Sequence, residues 1–190
     1  MQKQTKFIVF IIAVIVIIGG IGLYFGLKPE KPGPLDVFAQ SLKEKGATFY
    51  GAFWCTHCQA QKAEFGSSKK YLPYVECSTP DGLNQTQICI DNKIEGYPTW
   101  TFKNELSLTS EKAPLVCEIK TENSAEKKEC ENRSSKFYKT WIFEDYSFSV
   151  KSPTDPIVKG NTFTFPIGAL ATGEVPLSFL AQQIQFTLPQ

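Results

Sequence analysis

The residues best suited to chemistry are two cysteines separated by two positions, in Trp54-Cys55-Thr56-His57-Cys58. Disulfide exchange needs a thiolate nucleophile, so a reactive cysteine needs surroundings that bring its pKa below about 8.5, and a helix N-terminus does this. Cys55 falls at a predicted helix start, and Cys58 lands one turn further on. From there it can bond to Cys55 or attack a mixed disulfide held on it. His57 is the only histidine of the chain. As imidazolium it would favour the Cys55 thiolate, stabilise the reduced form and make the pair more oxidising. A lone histidine is ordinarily a surface residue without a role, but this one lies inside the motif. Two other uses of such a pair compete. A structural bond between near neighbours closes a very small loop and removes little chain entropy. A zinc site needs about four ligands and would have to recruit Cys77 and Cys89, whose spacing is unlike a second zinc knuckle. No metal and no cofactor is expected.

Elements that would position this pair are legible on both sides. Ala47 to Phe53 is an apolar and aromatic run, too short for a helix, and reads as a buried central strand. Gln59 to Lys70 holds good helix formers, with Ala60, Ala63 and Phe65 expected on the buried side. Leu72 to Cys77 reads as a second strand and Thr79-Pro80-Asp81-Gly82 as a turn. Gln85 to Lys93 forms a short helix, and Pro98 stands at the entrance of the strand Gly96–Phe102. Before the motif, Leu35, Phe38 and Leu42 recur at helical spacing between Pro34 and Gly46. After it, short β-like runs fall at Leu115–Ile119, Phe137–Phe143, Tyr146–Val150 and Thr162–Phe165. A closing helix runs from Pro176 to Phe186 with Leu177, Leu180 and Ile184 on one face.

Phe7 to Leu27 carries no charge, and its 21 residues at about 1.5 Å rise would reach about 31 Å, the thickness of a hydrocarbon core. It predicts a single transmembrane helix. A cleaved signal peptide is the competing reading, but the run exceeds the usual apolar region and no Ala-x-Ala-like site follows. Residues 1–6 then form a cytoplasmic N-terminus, 28–34 a proline-rich spacer, and 35–190 one domain with an insertion at about 103–160. Lysines flank the apolar run on both sides, so positive charge does not orient it. The cysteines do. Six of them fall in three close pairs, Cys55/Cys58, Cys77/Cys89 and Cys117/Cys130, which suits an oxidising, extracytoplasmic compartment. Twenty basic and nineteen acidic residues nearly cancel, leaving no field for nucleic-acid phosphates, and a nucleic-acid partner is excluded.

Three separated motifs carry a family resemblance. Phe49-Tyr50-Gly51-Ala52-Phe53-Trp54-Cys55-Thr56-His57-Cys58, then Leu72-Pro73-Tyr74-Val75-Glu76-Cys77, then Gly96-Tyr97-Pro98-Thr99-Trp100 occur in order. They resemble the thioredoxin-like domain fused to or partnered with bacterial and plant homologues of vitamin K epoxide reductase. The likeness covers Leu35 to Phe102 and resumes at Thr162 to Ile184. It implies an α/β thioredoxin-like fold, a central mixed sheet flanked by helices, here with a β-rich insertion and the N-terminal transmembrane helix. It also implies a nucleophilic Cys55 and a resolving Cys58. Pro98 would be a cis-proline facing the motif, Tyr97 would pair its backbone with the substrate chain, and Trp54 would lie among the substrate-binding residues. Cys77 and Cys89 would form a structural disulfide. The resemblance further implies that the domain oxidises cysteines of exported proteins and that a quinone-linked membrane partner reoxidises it.

The sequence departs from the pattern in several places. Thioredoxins often carry a buried acid six residues before the first motif cysteine, where this chain has Phe49. Thr56 stands where many relatives have proline. The insertion is foreign to the family, and the quinone-reducing partner is expected to be a separate protein. Cys117 and Cys130 are read as structural like Cys77 and Cys89, each pair closing a loop worth about 3 kcal/mol of chain entropy. A relay role for Cys117/Cys130 is the alternative, although their polar surroundings supply no activation. Two other functions remain open: a disulfide reductase or isomerase, and a tethered maturation chaperone binding Cu(I) through Cys55, Cys58 and His57.

Overall fold

The structure is a computed structural model that describes residues 12–20, 32–117, 130, 138–143, 146–150 and 155–189. The chain divides into two compact units, Met1–Pro32 and Gly33–Gln190.

The first unit corrects one expectation. Among the described residues no helix is long and apolar enough to cross a membrane. Residues 12–20 are helical, and at 1.5 Å per residue they reach about 14 Å, under half of a hydrocarbon core. The rest of the expected span at 7–27 lies outside the described residues. Apolarity alone drove that expectation. The same run is dominated by β-branched Ile and Val and reaches Gly19 and Gly20, residue types with weak helix propensity.

The second unit begins with α1 (Asp36–Glu44), which buries Phe38, Ala39 and Leu42. It continues through β1 (Thr48–Gly51), α2 (Thr56–Glu64), a 3₁₀ turn at Gly66–Tyr71, β2 (Tyr74–Glu76), α3 (Gln87–Asp91) and β3 (Thr99–Thr101). Six more strands follow: β4 (Leu106–Thr109), β5 (Leu115–Cys117), β6 (Lys139–Ile142), β7 (Tyr146–Val150), β8 (Ile157–Lys159) and β9 (Thr162–Phe165). The chain then forms β10 (Leu170–Gly173) and α4 (Leu177–Gln183).

Seven strands form one sheet in the order β2-β1-β3-β10-β7-β6-β5, and β4-β9-β8 form a second. Only β1 and β2 run parallel, joined by the crossover through α2, while the other pairings are antiparallel. The first four strands of the large sheet, with α2, α3 and α4, make the thioredoxin-like core of this mixed α/β unit.

Register is set by one row of side chains crossing the sheet: Phe49 pairs with Trp100, Trp100 with Ala171, Ala171 with Phe148, and Phe148 with Trp141. All are buried, and Phe49 stacks on Trp100 at 4.6 Å. A one-residue slip would turn that whole row to the opposite face. Phe165 of β9 stacks on Phe148 at 4.5 Å, so the small sheet closes over the same core. The other face gathers Tyr50, Ile94, Tyr138, Leu170 and the Cys77–Cys89 disulfide.

Two further expectations change in detail. The strand beside β3 is Leu170–Gly173, whereas Thr162–Phe165, expected to supply the resumed family core, pairs with β4 and β8. Ala60 and Ala63 are exposed, and α2 turns Cys58 and Gln61 inward instead. The sequence favours alanine on the buried side by hydropathy, but the helix phase is set by the cysteine motif at its start.

Candidate active site

β1 runs directly into the cysteine motif. After Gly51 the chain turns so that Cys55 N–H donates to the Ala52 carbonyl at 3.1 Å, and Cys55 becomes the N-cap of α2. Its sulfur accepts a hydrogen bond from the backbone N–H of Cys58 at 3.2 Å. The thiol therefore occupies the place where serine or aspartate usually satisfies an orphan helix N–H, in the positive end of the helix dipole.

Cys55 and Cys58 are both free, with their sulfurs 2.7 Å apart. They differ in burial: Cys58 is sealed at 0% exposure, while Cys55 keeps 7%. Burial first, and then the hydrogen bond to Cys55, push the Cys58 thiol up to about 12, against smaller lowering contributions from the Ala52 backbone and Lys62. The inner sulfur thus holds its proton, while Cys55, also buried, is the less enclosed of the two.

Tyr97–Pro98 is a cis peptide, placed by a loop that β10 anchors through Gly173 N–H donating to the Pro98 carbonyl at 2.9 Å. Gln85 donates to the Tyr97 hydroxyl at 2.7 Å and to the Ile94 carbonyl at 2.7 Å. Trp54, half exposed, meets Tyr97 edge to face at 6.0 Å and donates its indole N–H to Ser78 Oγ at 2.9 Å. An open cavity of about 550 Å³ is lined by His57, Glu64, Tyr97, Pro98, Glu174 and Leu177 among others, beside the motif.

His57 also makes a contact that the sequence did not show. Its Nδ1 is 2.5 Å from Glu174 Oε1, a contact across 117 residues, and its side chain is 68% exposed. The imidazole is engaged with the chain after β10. Among the described residues, no group of three or more His, Cys, Asp or Glu is placed to hold a metal ion, so the Cys55, Cys58 and His57 donor set is not assembled.

Cys77–Cys89 and Cys117–Cys130 are disulfides with Cα separations of 5.5 and 5.6 Å. The first ties β2 to α3, and the loop between them carries Ser78, the partner of Trp54. The second belongs to a small cluster with Ile142, away from the motif cysteines.

Several residues went unnoticed in the sequence. Gln61 is fully buried, and its amide bonds both ways with Val175: Nε2 donates to the carbonyl at 3.0 Å and Oε1 accepts from the N–H at 2.8 Å. Glu76 Oε1 accepts from the N–H groups of Phe53 and Ser78, at 3.1 and 2.9 Å, and its Oε2 accepts from the Tyr74 hydroxyl at 2.9 Å. The Lys62 ammonium lies 3.3 Å above the Tyr74 ring. Only the triplet and quartet spacings of Gln61 and Lys62 from Cys58 hinted at a shared face.

Fold and site together are consistent with a thioredoxin-like fold: a mixed α/β sheet, a dithiol at the start of a helix and a cis-proline in the loop before β3. Comparison with known proteins agrees. The thiol-disulfide oxidoreductase LTO1 of Arabidopsis thaliana is 48% identical over 73 residues, covering 36% of this chain and 19% of that protein. The thioredoxin domain-containing protein 5 homolog of Drosophila melanogaster is 33% identical over 90 residues, 41% of this chain and 21% of its own length. The chain thus spans about a fifth of the length of these relatives. No protein-family model matches it.

Proposed function

We propose that this chain is an extracytoplasmic protein thiol–disulfide oxidoreductase that oxidises cysteine pairs of exported proteins through a Cys55–Cys58 disulfide. The observation that carries the reading is the asymmetric sulfur pair, 2.7 Å apart, with Cys58 buried and Cys55 at the helix N-cap. In the oxidised protein a substrate thiolate attacks Cys55 Sγ, on the less enclosed of the two cysteines. The Cys55–Cys58 bond breaks, its electron pair leaves on Cys58, and the substrate is held on Cys55. A second substrate thiolate then attacks the substrate sulfur and expels Cys55. Two thiols become one disulfide, and the protein's pair gains two electrons.

Two disulfides elsewhere in the domain, Cys77–Cys89 and Cys117–Cys130, support residence in an oxidising compartment. The cavity beside Tyr97 and Pro98 offers room for the substrate chain next to His57 of the motif. The resemblance to domains that work with vitamin K epoxide reductase homologues makes a quinone-linked membrane protein of that kind the expected reoxidant.

Cys58→Ala leaves the first attack possible from the other direction, by Cys55 on an oxidised partner, and removes the sulfur that releases it. Expressed in its host, this variant should accumulate mixed disulfides on Cys55 with exported proteins and with the reoxidising partner, and Cys58→Ala combined with Cys55→Ser should accumulate none. Equal recovery from both variants would refute the assignment. The reduction potential decides direction: a value near −120 mV supports an oxidase, whereas one near −270 mV makes the protein a reductase.

A further inference from the structure

The acid that thioredoxins use near the inner cysteine is absent because Phe49 occupies its place in the aromatic row across the sheet. Charged groups reach Cys58 by another route. Gly51 and Glu76 are register partners on β1 and β2, and a Cβ on Gly51 would stand 2.9 Å from both Cys58 Sγ and Tyr74 Cε2. The glycine therefore leaves the sulfur and the tyrosine ring on either side of one narrow gap. Lys62, one turn beyond Cys58 on α2, lies over that ring at 3.3 Å, and the ring's hydroxyl is held by Glu76.

We propose that Lys62, steadied by Tyr74 and Glu76, is the positioning residue that stabilises negative charge on the buried Cys58 sulfur when its bond to Cys55 breaks. This rests on the dithiol reading above. When a substrate thiolate displaces Cys58 from Cys55, the departing electron pair enters a site closed to water. The ammonium of Lys62 supplies positive charge there, and a proton from solvent later completes the Cys58 thiol. In reverse, Cys58 gives up that proton, attacks Cys55 Sγ of a mixed disulfide and expels the bound thiolate. A better leaving thiolate leaves faster.

The other groups around Cys58 do not replace this charge. Cys55 and Tyr97 face it from the motif and from the loop before β3, Tyr74 and Glu76 from β2, and each is neutral or anionic. Lys62 itself is drawn below the usual lysine value, first by burial, and is pulled back up by Glu76 and then Cys58. Burial and the bond to Glu76 drive the Tyr74 hydroxyl upward, so the phenol remains protonated. Glu76 is fixed by three hydrogen bonds and cannot follow the lysine outward without releasing Phe53 and Ser78.

The test loads glutathione onto Cys55 of the full chain and follows its release by Cys58 between pH 6 and 9. Lys62 lowers the Cys58 thiol, and the low end of what a neighbouring opposite charge does to such a group is about one unit. Losing one unit lowers the thiolate fraction about tenfold, and higher intrinsic nucleophilicity returns about threefold of it. K62M is therefore expected to release glutathione about threefold more slowly at every pH in that range, and K62R at the wild-type rate. K62Q, a smaller polar replacement, should match K62M and covers the case of misfolding. Alkylation of Cys55 in a Cys58→Ala background should change less with K62M than release does, because Lys62 acts more strongly on the inner sulfur than on the outer one. Wild-type release by K62M and K62Q, or release by K62R as slow as theirs, would overturn the proposal and leave the dithiol reading intact. No release from the wild-type protein would overturn both.

Discussion

Gly51→Ala tests the packing on which the site depends. A methyl group there would lie 2.9 Å from Cys58 Sγ, 2.9 Å from Tyr74 Cε2 and 3.4 Å from Cys58 Cβ, whereas carbon contacts are comfortable at about 3.5–4.0 Å. About 0.6–1 Å must be found, and neither neighbour yields easily. Cys58 is pinned one turn into α2, and Tyr74 is bound at its hydroxyl and capped by Lys62. Overpacking of this kind costs about 1–3 kcal/mol. For a domain of this size each kcal/mol lowers the melting temperature by about 2–4 °C, so G51A should melt about 2–12 °C below the wild type. Displacement of the inner sulfur should also slow closure of the Cys55–Cys58 bond. The assay is a pair of thermal melts, oxidised and reduced, with the rate of disulfide formation from a mixed disulfide on Cys55. A variant that melts and closes like the wild type would show that β1 and α2 do not approach as described, and the inference about Lys62 would lose its geometry.

Three further outcomes follow from the same contacts. Gln61→Ala leaves the Val175 N–H and carbonyl buried without partners, which should cost at least about 2 kcal/mol in a denaturant titration; an unchanged midpoint would mean that water replaces the amide. Cys77→Ser with Cys89→Ser should lose about 3 kcal/mol and alter Trp54 fluorescence, because the loop carrying Ser78 is freed; an unaltered emission spectrum would separate that loop from the site. The third is a pH effect. Cys58 is raised from 9.0 to about 12 in the folded, reduced protein, chiefly by burial, so the unfolded chain loses this proton first. The resulting stability is complete below about pH 9 and declines as pH rises toward 12. The oxidised protein has no Cys58 thiol to titrate, so the gap between oxidised and reduced melting temperatures should change above pH 9, and parallel curves would refute the burial of that sulfur.

What was legible in the sequence was local. The strand, Cys55, Cys58 and the start of α2 are consecutive, and their order alone placed one sulfur a turn beyond the other. Tyr146–Val150 and Thr162–Phe165 showed alternating or β-branched runs and are strands over those residues. Partners were not legible. Thr162–Phe165 reads as a strand, but nothing local says that it pairs with β4 and β8. Leu170-Ala171-Thr172-Gly173 looks like a loop of small residues between glycines, yet it lies in the middle of the large sheet because Trp100 and Phe148 need a small neighbour between them. Glu174 is engaged with His57 from 117 residues away. Gln61 resembles any helix-surface glutamine until Val175 is brought to it. The apolar run at 7–27 led to an expectation that the structure does not support, since among the described residues no helix is long and apolar enough to cross a membrane.

The insertion between β3 and β10 is woven into the large sheet through β7, β6 and β5. Trimming residues 103–160 to reach a minimal domain would strip β10 of its neighbour and uncover Ala171 and Leu180. The bared strand would offer an unsatisfied row of amides to any similar strand. A shortened protein should therefore self-associate in solution, because the segment that looks like an accessory is what pairs that strand.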